Sequence, residues 1–219
     1  MIIDLNVEGK NIIVIGGGEE GTRKIRALLG QNCNITLISD NINDYLSSLV
    51  KEGKISFIQR HINDANILDE INIKPFMVLA TTDDKALNRM IIEKAKSMNA
   101  FAYAADDPEV SDFIHPAVIN IEGVLFIAIS TKGASPAMAR VLRMKIEEMI
   151  KSIISKDDLE MIKLTNFART KSITKLKTVE ERKKYLYTII NDAKINEMIR
   201  NNKLDEAKRE VIEILERWQ

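Results

Sequence analysis

The chain has 219 residues with 32 basic and 32 acidic side chains, so no overall charge draws it to nucleic acid or to an anionic membrane. With 45% apolar and 29% charged residues it reads as a globular protein with a substantial core, either one large domain or one domain with an accessory unit. A single cysteine, Cys33, excludes an intramolecular disulfide, and it reads as a small buried thiol rather than a reactive one. The opening MIIDLNVEGK is acidic where a secretory signal is basic, and no window reaches the roughly 18 apolar residues of a membrane span. The expectation is a cytoplasmic protein with neither membrane nor nucleic acid as partner.

NIIVIG (11–16) is a short β-branched run that ends at glycines, as a central parallel strand does. A helix follows over 19–30, with Ile25, Leu28 and Leu29 on its apolar side. NITLIS (34–39) predicts a second strand, and 43–53 a second helix closed by Gly53. ISFIQR (55–60) reads as a third strand and 65–72 as a short helix. FMVLATT (76–82) is a fourth strand, 86–99 an amphipathic helix, and AFAYAAD (100–106) a fifth strand. Strand alternating with helix at this spacing predicts an α/β fold, a doubly wound parallel sheet with helices on both faces. VLFIAIST (124–131) then gives one more strand. The helix over 135–150 opens with Ser135 as N-cap and Pro136 at its first position. Its Met138, Val141, Leu142 and Met149 read as core. From 151 onward there is neither glycine nor proline, and 151–184 holds ten basic against five acidic residues, read as a solvated helical face.

Gly16-Gly17-Gly18-Glu19-Glu20-Gly21 fits G-x-G-x-x-G directly after a strand and at the start of a helix, where a dinucleotide is held. Gly16 allows the tight turn, Gly18 the close approach of a pyrophosphate, and Gly21 the packing of helix on strand. The helix N-terminus offers N–H groups and partial positive charge to the phosphates. Glu19 and Glu20 suit that end of the dipole but do not help bind an anion. Asp40 lies 19 residues past Gly21, at the end of the second strand, where a carboxylate accepts from ribose hydroxyls and repels a 2′-phosphate. That favours NAD over NADP, with Ser39 beside it as a moderating neighbour. Ala80, Thr81 and Thr82 end the fourth strand and leave room for the nicotinamide half. Asp83 and Asp84 read as N-cap and first turn of the next helix.

Four segments resemble the precorrin-2 dehydrogenase family, which includes the N-terminal half of siroheme synthase and bifunctional dehydrogenase/ferrochelatases. They are VIGGGEEGTRKIRALL (14–29), ATTDDKALN (80–88), AADDPEVSDFIHPA (104–117) and AISTKGASPAMARVLR (128–143). The resemblance covers most of 1–150; the tail matches only in being helical. It implies an NAD-binding Rossmann domain over 1–112, a dimerisation and substrate segment over 113–150, and a helical C-terminal domain over 151–219. It also implies a homodimer and oxidation of precorrin-2 to sirohydrochlorin with NAD, with Asp106 at the position of the family's key aspartate. The residues alone leave Asp106 open between a turn or cap residue and a general base near the nicotinamide, with Asp107 as its neighbouring candidate.

A polycarboxylate substrate calls for local basic charge. Arg140 and Arg143 share a helix face, Lys132 lies in the preceding turn, and Thr131 and Ser135 bring hydroxyls and a helix N-terminus. Ordinary surface arginines are the equal alternative. Where the family often reads S-S-G-G, this chain has Ser130-Thr131-Lys132-Gly133, which puts the loop geometry in question. His61 and His115 read as satisfied structural histidines, and no ligand cluster predicts a resident metal. Two other readings stand beside the dehydrogenase: one that also inserts ferrous iron, and an NAD-sensing regulatory module, which shares the T-x-D-D-x-x-N text but not the two later segments.

Overall fold

A computed structural model of the chain describes residues 2–218, and these divide into two compact units between His115 and Pro116. The first unit carries the predicted parallel sheet. Its strands are β1 (Asn11–Ile15), β2 (Asn34–Ser39), β3 (Ser56–Gln59), β4 (Met77–Ala80) and β5 (Phe101–Ala104), in the order β3-β2-β1-β4-β5. The alternation of side chains along a strand splits β1 between two cores. Ile13 and Ile15 join a cluster with Val78, Ile91 and Ile92, while Ile12 and Val14 face Ile25, Leu37 and Leu46. Burying each such side chain contributes about 2 kcal/mol, which is why the central strand is apolar at every position from 12 to 15. Helices α1 (Glu19–Leu28) and α2 (Asp44–Lys51) supply the second cluster, and α3 (Ile67–Glu70) and α4 (Lys85–Ser97) the first.

The helix starts follow their caps. Asn43 accepts from the Leu46 amide at 2.9 Å, and Asp84 accepts from Ala86 and Leu87 at 2.8 and 3.0 Å. Gly53 closes α2 at φ +67°, as expected. The fourth strand stops two residues earlier than its composition predicts, because Thr81 and Thr82 turn their hydroxyls to the glycine turn and to Asn88. Cys33 is half-buried, its thiol donates to the Leu28 carbonyl at 3.7 Å, and burial pushes its pKa up, away from reactivity.

The second unit begins with an antiparallel hairpin of β6 (Ala117–Ile121) and β7 (Leu125–Ile129). The sequence predicts only the second of these strands. The turn runs through Glu122 and Gly123, both at positive φ (53° and 70°), and Glu stands where an Asn or Asp would have announced a hairpin. Helix α5 (Pro136–Ile153) starts where predicted, with the Ser135 hydroxyl accepting from the Met138 amide, and runs three residues further. Four helices complete the unit: α6 (Lys156–Ser172), α7 (Val179–Asn191), α8 (Ala193–Arg200) and α9 (Leu204–Glu216). Capping boxes open two of them, Ser155 with Asp158 and Thr178 with Glu181. Leu164, Ile189, Ile195 and Val211 form their core, and the buried Tyr185 hydroxyl donates to the Val211 carbonyl at 2.8 Å.

One expectation for α5 fails. Met138, Val141, Leu142 and Met149 are exposed rather than core, as are Met144 and Ile153.

Candidate functional site

The strand order reverses between β1 and β4, and the loops that leave the carboxyl ends of these strands line the crevice of an open parallel sheet. The glycine turn leaves β1 there. Gly16 sits at φ +106°, and a Cβ on it would lie 2.6 Å from the Thr81 carbonyl oxygen. A Cβ on Gly21 would meet the Gly16 carbonyl oxygen at 2.0 Å, so helix and turn touch backbone to backbone. Gly17, an unspecified position in the motif, is equally constrained: its Cβ would fall 2.5 Å from the Asn41 carbonyl oxygen. Gly18 differs. A Cβ there meets nothing within 4 Å, which is the open approach a pyrophosphate needs in front of the first amides of α1. The fit to a dinucleotide is therefore met at each glycine for its own steric reason.

Hydroxyls at the ends of two other strands brace this turn. Ser39 accepts from the Gly17 amide at 2.9 Å and donates to the Asn41 carbonyl at 2.9 Å. Thr81, buried, donates to the carbonyls of Ile15 and Gly16 at 2.9 and 3.0 Å. Ser39 and Thr81 thus engage the loop itself. Ala80 is fully buried in β4. Glu20, which would oppose an anion, is gripped by Arg23 through two hydrogen bonds of 2.9 and 2.6 Å.

At the far end of β5 stands Asp106. Its Oδ1 accepts from the Asn88 amide at 2.9 Å, and Oδ2 has no hydrogen-bond partner among the described residues. Asn88, only 1% exposed, is the joint of this corner. Its Oδ1 accepts from the Thr82 amide at 3.2 Å and from the Thr82 hydroxyl at 2.7 Å, which fixes which end of the side chain is NH2. The NH2 end then donates to the Thr82 carbonyl at 2.9 Å and to Asp106. Thr82 and Asp106 are thereby tied together across β4 and β5. Asp107 is occupied differently, bonding Arg89 at 3.1 Å and the Glu109 amide at 3.1 Å.

Asp40 leaves β2 at the same edge, and its Oδ2 lies 2.6 Å from His61 Nδ1. His61, expected as a satisfied structural histidine, has Asp40 as its partner and a side chain that is 71% exposed. His115 is exposed too, yet its ring packs edge-on to Tyr103 and Phe113 at 4.7 and 5.3 Å. The aromatic packing strips water from the ring although the residue as a whole is exposed, and with Lys24 and Arg23 it pushes the pKa down to about 4, so His115 stays neutral near pH 7. Lys24, which sequence reasoning passed over, is 4% exposed and lies 4.0 Å from the Tyr103 ring centroid and 3.4 Å from Glu20. Burial lowers its pKa to about 8 against the pull of Glu20. Only a buried cation over an aromatic ring betrays it, and no motif does.

In the second unit the candidate substrate residues cluster around the start of α5. Thr131 Oγ1 accepts from the Ser135 amide at 3.0 Å, and Ser135 caps the helix. Lys132 adopts φ +54° beside Gly133 at +82°, so the turn keeps a glycine-type backbone with a lysine in it. Arg140 is exposed, whereas Arg143 is paired with Glu147. Among the described residues no three His, Cys, Asp or Glu side chains converge as metal ligands, and no helix is long and apolar enough to cross a membrane.

A parallel sheet with order 3-2-1-4-5, a braced glycine turn at its switch point and an acid closing the second strand define a dinucleotide-binding Rossmann domain. The family model described as "Putative NAD(P)-binding" matches residues 3–117, and the chain belongs to that NAD(P)-binding family. The chain is 30% identical to the siroheme synthase of Actinobacillus succinogenes over 208 residues, 95% of this chain and 41% of that protein. It is 38% identical to the siroheme synthase of Gluconacetobacter diazotrophicus over 149 residues, 67% of this chain and 31% of that one. The chain thus spans about two fifths of the length of the first of these relatives. Among solved structures it shares the fold of SirC, a precorrin-2 dehydrogenase, with a TM-score of 0.67 at 22% identity, covering 97% of this chain and 99% of that one.

Proposed function

We propose that this chain is an NAD-dependent dehydrogenase that oxidises precorrin-2 to sirohydrochlorin in siroheme biosynthesis. The observation that carries the reading is the Asn88 bridge, which holds the carboxylate of Asp106 at the sheet edge from which the glycine turn also emerges. The names of the relatives, siroheme synthase and precorrin-2 dehydrogenase, support the choice of substrate.

Gly16, Gly18 and Gly21 shape the pyrophosphate cradle, Asp40 receives the adenine-side ribose, and Thr82 borders the nicotinamide, with the buried Ala80 and Thr81 behind it. NAD, when bound, supplies the hydride acceptor. Asp106 takes the proton released as the substrate loses a hydride, so that two hydrogens leave as one hydride and one proton. The amide donor on Oδ1 holds the carboxylate in place and leaves Oδ2 open to accept that proton. Thr131, Lys132, Ser135 and Arg140 bind substrate carboxylates, with Arg143 available once it leaves Glu147.

The working form is a homodimer. Met138, Val141, Leu142 and Met149 recur at helical spacing on α5, and a contiguous exposed apolar stripe of this kind is covered when two copies meet. The decisive test is an anaerobic assay with precorrin-2 generated enzymatically in place, followed as NADH absorbance. NADH formation dependent on both precorrin-2 and the protein is the expected result. Cofactor binding with no substrate-dependent hydride transfer would leave a sensing module instead.

A further inference from the structure

An acid at the end of the second strand is expected to exclude the 2′-phosphate of NADP by repulsion. In this chain that carboxylate does not act alone. β2 and β3 pair in parallel with Ser39 opposite Gln59, so the residues that follow, Asp40 on one side and Arg60 and His61 on the other, emerge together at the sheet edge. Gln59 Nε2 donates to the Asp40 carbonyl at 3.0 Å and the Arg60 amide to the Ser39 carbonyl at 3.1 Å, which ties the two strand ends. His61 Nδ1 then reaches Asp40 Oδ2 at 2.6 Å.

We propose that His61 sets the NAD/NADP selectivity of the site, its imidazole countering the charge of Asp40 where a 2′-phosphate would lie. The inference rests on the reading that the glycine turn holds a dinucleotide with its adenine-side ribose at Asp40. The charged groups around the pair are few. Arg60, next to His61, has its guanidinium on Glu70 of α3, so these two offset each other. The hydrogen bond to Asp40 and that carboxylate's charge raise the His61 pKa above its ordinary value. Below it the pair is an imidazolium with a carboxylate, net neutral and with an N–H donor to spare. Above it a net negative charge faces the ribose. Discrimination against NADP therefore strengthens as pH rises through the raised pKa of His61.

The 2′-phosphate of NADP gains charge over the same range, so wild-type behaviour alone does not identify the histidine. The experiment measures Kd for NADH and NADPH by nucleotide fluorescence at about pH 6 and about pH 8 in the full chain, His61→Ala and His61→Gln. At the lower pH both variants should raise the NADPH-to-NADH ratio of Kd by up to about fivefold, the scale of one exposed charge pair. At the higher pH His61→Gln, neutral and able to bond Asp40, should match wild type. The residue is exposed, so the variants should melt as the wild type does. A ratio that is the same in all three proteins at both pH values would overturn the proposal, as would a lower ratio in His61→Ala. If wild type binds neither nucleotide, or Gly18→Ala binds both undiminished, the dinucleotide reading itself has failed and the proposal falls with it.

Discussion

Gly16 and Gly18 stand two residues apart, and alanine at each should have opposite consequences. At Gly16 the positive φ and the Thr81 carbonyl 2.6 Å from the added Cβ make Gly16→Ala cost at least about 2 kcal/mol in urea denaturation. At Gly18 the backbone lies at φ −70° and the Cβ points into open space. Gly18→Ala should therefore keep its stability to within about 0.5 kcal/mol while NAD affinity in a titration falls about tenfold or more, as the methyl crowds the pyrophosphate. Asp106→Asn should abolish turnover and leave NAD affinity intact, whereas Asp107→Asn, which loses only an ion pair with exposed Arg89, should retain most of it. Asn88→Ala leaves Thr82 and Asp106 without their buried partner, which should lower stability by roughly 1–3 kcal/mol and reduce kcat in the precorrin-2 assay. The glycines and Asp40 were legible in the sequence because their spacing is itself the signal. Asn88, Lys24 and His61 were not, since each acts through a residue brought near by strand pairing or helix packing.

Helix α1 carries a buried cation on its inner face. Lys24 folds with a pKa of about 8 against an ordinary value of 10.5, so between those values the unfolded chain binds more protons than the folded one. Stability is thus reduced by about 3 kcal/mol, to order of magnitude, below pH 8, and the loss is relieved as pH rises through the window. Lys24→Met, which keeps the length and drops the charge, should raise the melting temperature at pH 7, and the gain should shrink between about pH 8 and pH 10. A gain constant across that range would show that packing, not desolvation, sets the effect. The strands were readable from apolar runs bounded by glycine, since a strand buried on both faces leaves no other composition open. β6 was not, because Asn120 interrupts its apolar run and Glu122 disguises the turn. The end of β4 was misjudged for a related reason: Thr81 and Thr82 have strand-like side chains, and only the neighbouring glycine turn and Asn88 reveal where their hydroxyls go.

For the whole molecule, the stripe on α5 predicts that association and activity go together. Sedimentation velocity should give a dimer, and Leu142→Glu should shift it toward monomer with little change in the melting temperature of the single chain, because Leu142 is exposed there. A monomeric wild type would remove the proposed interface. The apolar spacing of α5 was visible in the sequence, but a stripe that awaits a second copy looks the same on paper as one that faces its own core. The two units, by contrast, each keep an interior of their own: every buried residue of the helical cluster lies beyond Leu159, and every one of the two sheet clusters before His115. Calorimetry should accordingly resolve two heat-absorption steps rather than one. Saturating NAD, bound only by the folded sheet unit, should move one of them upward and leave the other where it was.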